Sequence, residues 1–244
     1  MKELFYFSDD WKNIAVKVSG GADSAIMWYA ACDYYKNKDV NLYALTLDTQ
    51  YKPWYSTGAK RVIEKVKELT GVEPTEHLIY YSSKHINKET ANWYIEEQKN
   101  MIRYWYPRYR FNVLYNCVTS NPPEEDMINE VKKYIPDENK FKVAKKYIEG
   151  RDKNRDVESN KYRTQIESPF PGFENIRPFI HGDKKLTRQV YDYYGVADTL
   201  FPVTYSCETI QREHLYNPKE EMDFDHCGYC FFCCERYYAF GKLV

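Results

Sequence analysis

The segment Ser19-Gly20-Gly21-Ala22-Asp23-Ser24 constrains this chain more than any other. It follows Ile14 to Val18, a short β-branched run that reads as a buried strand. It precedes Ala25 to Cys32, an apolar run without Gly or Pro that reads as a helix. A strand that turns into a helix within a few residues needs backbone freedom, and paired glycines supply positive φ without steric cost. The amides of such a turn, with the helix N-terminus behind them, form a nest for an anion. Ser19 and Ser24 place hydroxyls at either end. The pattern is neither a G-x-x-x-x-G-K-S/T loop nor a G-x-G-x-x-G fingerprint. It suits a phosphate or pyrophosphate, and a tight structural turn is the competing reading.

Alternation continues downstream. Asn41 to Asp48 reads as a second strand and His77 to Tyr81 as a third. Between them, Ser56 to Thr70 carries Val62, Ile63, Val66 and Leu69 at helical spacing, with Ser56 as the expected cap and Gly71 just past the end. Strands alternating with helices predict an α/β chain with a parallel sheet. Asp48 and Lys52 lie just past the second strand, where such sheets build a ligand crevice. Glu89 to Tyr106 reads as a helix with an aromatic stripe of Trp93, Tyr94, Tyr104, Trp105 and Tyr106, assigned to core. Phe111 to Val118 reads as a strand holding Cys117, and Asn121 to Asp126 as a turn and helix start. Residues 150–165 are expected as an exposed polar loop. A last helix runs from Lys184 to Tyr194, capped by Asp183 and stopped by Gly195, with Lys184 and Lys185 solvated at its start.

Five of the seven cysteines fall between Cys207 and Cys234. Cys227-Gly-Tyr-Cys230-Phe-Phe-Cys233, with Cys207 upstream, supplies four thiolates, enough to close a tetrahedral zinc site. Four cysteines also hold an iron–sulfur cluster, which stays open as the rival. Cys234 breaks the spacing and reads as a buried bystander; His226 and His214 are spare ligands, and Cys32 reads as core. Lys+Arg 35 against Asp+Glu 36 leaves a net charge of −1, which excludes a uniformly basic nucleic-acid coat and a purely electrostatic membrane binder. No stretch approaches the roughly 20 apolar residues of a membrane span, and the start of the chain turns acidic and polar before a signal-peptide core could form. A cytoplasmic location follows as an expectation, bacterial or, for a phage-encoded chain, that of the host.

VSGGADS after the first strand resembles the SGGxDS signature of the PP-loop ATP pyrophosphatases, matching at Ser19, Gly20, Gly21, Asp23 and Ser24. That resemblance implies an adenine-nucleotide α-hydrolase (Rossmann-like) sheet and ATP split between its α and β phosphates. It implies an ATP site of Val18, Ser19, Gly20, Gly21, Ala22, Asp23, Ser24, Leu45 and Asp48, with Asp23 and Ser24 catalytic and Asp23 organising Mg2+ or the loop. The tail, Ser206-Cys207 followed by HCGYCFFCCERYYAF, resembles the zinc region of the 7-cyano-7-deazaguanine (preQ0) synthases at Cys227, Gly228, Cys230, Cys233, Arg236, Ala239 and Phe240. The resemblance implies Zn2+ on Cys207, Cys227, Cys230 and Cys233. It implies conversion of 7-carboxy-7-deazaguanine, ATP and ammonia to a nitrile, as in queuosine biosynthesis.

The departures are specific. Gln50 alone persists of the family's Tyr-Gly-Gln element, and Tyr109 to Pro123 lacks its Gly-Arg-Asn element. The expected layout is a nucleotide-binding domain over residues 1–200 and a metal segment over 201–244 packed on it. The expected partners are a deazapurine carboxylate and ammonia, with no membrane and no direct nucleic-acid partner; a homodimer stays open. A tRNA-thiolating enzyme and a non-catalytic nucleotide-and-zinc module are the alternative functions.

Overall fold

The computed structural model describes residues 1–49, 54–82, 93–160, 164–170, 172–207 and 225–244. They divide into two compact units, Met1–Asn116 with Ile166–Ile176, and Cys117–Gln165 with Arg177–Val244. Among the described residues no helix is long and apolar enough to cross a membrane.

The first unit holds α1 (Lys2–Phe5), β1 (Asn13–Lys17), α2 (Ala22–Tyr35), β2 (Asn41–Thr49), α3 (Tyr55–Thr70), β3 (Glu76–Ser82), α4 (Trp93–Tyr109), β4 (Val113–Tyr115), β5 (Ile166–Phe170) and β6 (Phe173–Ile176). Its sheet has the order β3-β2-β1-β4-β6-β5. The first five of these run parallel, and β5 closes the edge antiparallel to β6. The chain is therefore an α/β protein with a parallel sheet and flanking helices, Rossmann-like in its strand order.

Every residue of β2 from Leu42 onward is buried, as a central strand covered on both faces requires. Side chains alternate along it. Tyr43, Leu45 and Leu47 join Ala15, Leu114 and Phe111 in a core closed by Met101 of α4, with Tyr94, Trp105, Tyr106 and Tyr109 packed against it. The aromatic stripe is core at those positions, whereas Tyr104 is exposed. On the opposite face Asp48 meets the start of α3.

Several boundaries differ from the sequence reading. The N-cap position of α3 belongs to Trp54, not Ser56, which lies inside the first turn. Gly71 does close α3, in the left-handed conformation at φ 76°. The Phe111–Val118 strand shrinks to Val113–Tyr115, leaving Cys117 outside it and half-buried. Leading into Ile176, the antiparallel pair β5–β6 carries no strong sequence signal, since its residues neither alternate nor cluster.

The second unit holds α5 (Glu124–Lys132), α6 (Glu138–Glu149), α7 (Val157–Asn160), α8 (Lys184–Tyr194) and α9 (Phe231–Phe240). Asp137 caps α6 by accepting from Lys140 N–H at 2.7 Å. The signal for α6 was present in Asp137, Phe141, Ala144 and Ile148. Those apolar positions pack with Met127, Val131, Cys234 and Tyr238 into one core. Asp183 and Gly195 bound α8 as the sequence predicts. Residues 150–160, expected as an exposed loop, instead carry a 3-10 turn (Lys153–Arg155) and α7. Arg151 is nearly buried there, paired with Glu124 and Asp156. Asn121 ties the same segment down, donating to Asp152 O and Asp156 Oδ1, both at 2.8 Å. A polar network replaces the apolar core whose absence made the stretch read as loop.

Candidate functional site

The strand order places the glycine turn. From β1 the chain steps outward through β2 to β3, then returns to the other side of β1 with β4. That reversal makes a switch point between β1 and β4, and ligands of such sheets bind outside the carboxyl ends of the strands there. Ser19 to Gly21 leave β1 at that point and lead directly into α2.

Val18 continues the ladder, its N–H donating to Leu45 O at 2.8 Å. Gly20 then turns at φ 83°, a conformation side chains rarely adopt. It also lies against α3: a Cβ there would sit 2.6 Å from Gly58 C and 2.7 Å from Gly58 Cα. Gly20 is thus required twice, by φ and by contact.

The two serines close the loop on itself. Ser24 Oγ donates to Gly21 O at 3.0 Å, which uses its one proton. The hydrogen shared with Ser19 Oγ at 3.3 Å therefore comes from Ser19. Ser24 Oγ also accepts the Ser19 N–H at 3.2 Å, and Ser19 Oγ lies 3.5 Å from Gly21 N. The cap residue of α2 is Gly21, which has no side chain to accept from the first turn. Asp23 lies in that turn, half-buried.

Sequence reasoning missed three residues that hold this loop. Thr46 Oγ1 donates to Val18 O at 2.7 Å and meets His77 Nε2 at 2.8 Å. Its single proton goes to the carbonyl, so the imidazole donates and His77 carries its proton on Nε2. Burial, helped by the charge of Lys60, pushes the His77 pKa down to about 4. Gly58 is the third. Polar residues inside an apolar strand, and a glycine inside a helical pattern, were the available signals.

Asp48 is buried, and its Oδ1 accepts the Ser56 N–H at 2.8 Å. Burial pushes its carboxyl above the usual range, against the opposing Ser56 bonds and the Lys60 charge. Its visible work is to satisfy an amide in the first turn of α3. Lys52 and His214 lie outside the described residues.

The second constellation is Cys207, Cys227, Cys230 and Cys233. All four are buried, and their sulfurs lie within 4.8 Å of one another. Cys227 and Cys233 sulfurs are 3.8 Å apart, Cys207 and Cys230 sulfurs 4.0 Å. Gly228, at φ 77°, turns the chain so that Tyr229 N and Cys230 N point at Cys227 Sγ, at 3.5 and 3.3 Å. Thiol donors from Cys227, Cys230 and Cys233 hold Cys207 well below the ordinary thiol range. A compact, buried, all-sulfur donor set fits a metal ion. Cys234 is buried but faces away, donating to Tyr229 O at 3.5 Å, and burial pushes its thiol up to about 12.

α9 starts just after Cys230, its N-cap, and carries charge into the same unit. Glu235 is buried and pairs with Arg155 at 3.1 Å and Lys184 at 3.7 Å. Lys184, expected to be solvated, is buried by that pair. Arg236 is buried as well, donating to Leu243 O and Thr204 Oγ1 while its guanidinium stacks over Phe201. Tyr238 donates to Asp183 Oδ2 at 2.9 Å, while Asp183 Oδ1 caps α8.

No family model matches the chain, and no curated protein matches it. Solved structures do. The U34-tRNA thiolase NcsA from Methanococcus maripaludis, with its 4Fe–4S cluster, is 16% identical, covering 93% of this chain and 71% of its own, with a TM-score of 0.45. The NAD+ synthetase from Burkholderia pseudomallei is 12% identical, covering 96% of this chain and 80% of its own, with a TM-score of 0.44. Likenesses this distant say nothing of substrate; strand order, loop and cysteine geometry carry the functional reading.

Proposed function

We propose that this chain is an ATP pyrophosphatase of the PP-loop kind that activates a carboxylate for attack by ammonia. The observation that carries the reading is the Ser19–Ser24 loop, turned by Gly20 at the switch point and leading straight into the N-terminus of α2. Such a terminus favours a diphosphate through its amides and its dipole. Asp23 sets a carboxylate beside that anion, which is repulsive unless a divalent cation lies between. Mg2+ suits this, since it binds through one or two carboxylates together with substrate phosphates.

The chemistry needs no covalent nucleophile. A carboxylate oxygen attacks the α-phosphorus of ATP, the α–β phosphoanhydride bond breaks, and pyrophosphate leaves. Ammonia then attacks the acyl carbon and AMP departs, giving the amide. A second activation, at the amide oxygen, releases another pyrophosphate; loss of AMP and of both amide protons then gives the nitrile. The protein's task is alignment and neutralisation of the charge growing on the diphosphate. Within the loop, Ser24 holds Gly21 O and Ser19 N–H, so the donors face a fixed point.

For the cysteines we favour structural Zn2+. Zinc–sulfur bonds of about 2.3 Å in a tetrahedron separate the sulfurs by roughly 3.8 Å. The observed 3.8 and 4.0 Å, with all four sulfurs within 4.8 Å of one another, support that arrangement. A 4Fe–4S cluster bonds its thiolates to four separate irons and spreads them further apart. The spacing therefore weighs against a tRNA-thiolating enzyme built on such a cluster. Four protein sulfurs leave no open coordination position, so the metal holds α9 and does no chemistry.

The substrate best supported by the sequence resemblance is 7-carboxy-7-deazaguanine. The test is incubation of the purified chain with ATP, ammonium and that acid. Expected are AMP and pyrophosphate in acid-dependent amounts, with the amide or nitrile in the mass spectrum. ADP as the nucleotide product would overturn the reading. AMP formation with another acid would keep the chemistry and replace the substrate.

A further inference from the structure

Resting on the metal reading above, we infer that His226 is a positioning residue for that centre: its Nδ1–H donates to the Cys233 sulfur, and it is not itself a ligand.

Among the described residues, donors reach three of the four sulfurs. Cys207 Sγ receives Cys227 N–H at 3.5 Å. Cys227 Sγ receives the N–H groups of Tyr229 and Cys230. These are backbone donors, set by the turn at Gly228. At Cys233 the partner is a side chain, His226 Nδ1, at 3.7 Å. A metal-bound thiolate has no proton to give, so the shared hydrogen comes from the imidazole.

That fixes the tautomer. With the proton on Nδ1, Nε2 is a bare acceptor. Nε2 is buried and has no partner among the described residues. A buried lone pair without a donor is tolerated better than a buried N–H without an acceptor. Both ring nitrogens therefore agree on one assignment.

The ring is also held. Tyr205, two residues before Cys207, packs at 5.0 Å from the imidazole, and its hydroxyl donates to Asp225 O at 3.2 Å. The segment that delivers Cys207 thus packs on the His226 ring and is tied to the residue before it. Four thiolates around a divalent ion carry net negative charge in a buried place, and each N–H donor offsets part of it. His226 is the donor that can be removed without touching the backbone.

The experiment uses the full chain, stripped of metal and reloaded with Co(II). Wild type is expected to give a four-sulfur tetrahedral spectrum. His226→Ala raises the Cys233 lone pairs in energy, so the sulfur-to-cobalt charge-transfer band moves to longer wavelength. Chelator competition is expected to show about 10-fold weaker binding, the lower end of what outer-shell losses cost. His226→Asn returns an amide N–H near the Nδ1 position and should restore both readouts; a merely space-filling role would not move the band. His226→Gln, whose amide lies nearer the Nε2 position, should behave like His226→Ala and replaces it if that variant does not fold.

An unshifted band in both His226→Ala and His226→Gln overturns the inference and leaves the metal reading standing. A wild-type spectrum of three sulfurs and one nitrogen also overturns it, making His226 a ligand. No cobalt uptake by wild type overturns the metal reading and, with it, the role of His226.

Discussion

Gly20 and Gly58 touch, yet alanine at the two positions should act with opposite sign. At Gly20 the change meets two obstacles. The φ of 83° lies in the left-handed region, where a side chain costs roughly 1–2 kcal/mol. The new Cβ would sit 2.6 Å from Gly58 C. Ordinary carbon contact needs about 3.5 Å, so loop and α3 must part by roughly 0.9 Å. Overpacking of this kind costs about 1–3 kcal/mol, which puts Gly20→Ala at roughly 2–5 kcal/mol.

Gly58→Ala places its Cβ 3.4 Å from Gly20 Cα and 3.6 Å from Ser19 O, which is ordinary contact. Gly58 lies inside α3, where replacing glycine by alanine gains about 0.5–1 kcal/mol. Urea unfolding of both variants reads the stabilities, and pyrophosphate release with ATP reads the loop. Gly20→Ala should lose stability and pyrophosphate release together. Gly58→Ala should match or exceed wild type in stability and keep its turnover. Equal losses from both variants would refute the reasoning, because they would mean that simple crowding, and not the φ of Gly20, governs the contact.

Asp23→Ala and Ser24→Ala should each abolish AMP and pyrophosphate formation with metal content unchanged, as read by product assay and elemental analysis. Cys230→Ser should cost folding as well as metal, since structural zinc supplies about 10–16 kcal/mol in zinc-finger peptides; a folded, soluble, metal-free variant would contradict this. Glu235→Gln removes the buried negative charge facing Arg155 and Lys184; Arg155 keeps its bonds to Thr119, so the loss should be about 3 kcal/mol, the lower end for a broken buried pair, in urea unfolding. His77, at about 4 when folded, lies below the ordinary histidine value, so the unfolded chain binds more protons between the two. Its contribution is therefore complete above about pH 6.5 and lost as pH falls toward 4, at most about 3 kcal/mol. His77→Gln should flatten that part of the stability profile, and an unchanged slope would refute it.

What could be read from the sequence follows a physical line. β1, α2, β2, α3 and the caps Gly71, Asp183 and Gly195 depend on neighbours a few residues away, and local pattern reports them. The cysteine spacing is local too, apart from Cys207. What failed to appear depends on distant partners. Ser56 looks like a cap, but Asp48 takes its amide from the end of the preceding strand. Lys184 looks solvated until Glu235, some fifty residues on, is brought beside it. Residues 150–160 look like loop because Asp156 gathers Arg151 and Asn121 around it without any apolar residue.

The same distinction bears on how the loop works. Donors that stabilise a growing charge are useful only if they need not reorganise when it appears. The SGGADS letters supply the donors, while residues far along the chain supply the stiffness. Val18 is held on both sides, by Leu45 O at its amide and by Thr46 Oγ1 at its carbonyl. Thr46 is held in turn by His77 on β3, and Gly20 is wedged against Gly58 on α3. The anchors come from β2, β3 and α3, three elements that follow the turn in sequence. Loosening any one of them should leave binding of a diphosphate weakened in proportion to the freedom restored. Removing the clasp inside the loop, which holds Gly21 O and Ser19 N–H, should abolish turnover outright. Titrating inorganic pyrophosphate into Thr46→Val and Ser24→Ala separates the two cases, the first expected weak and the second absent.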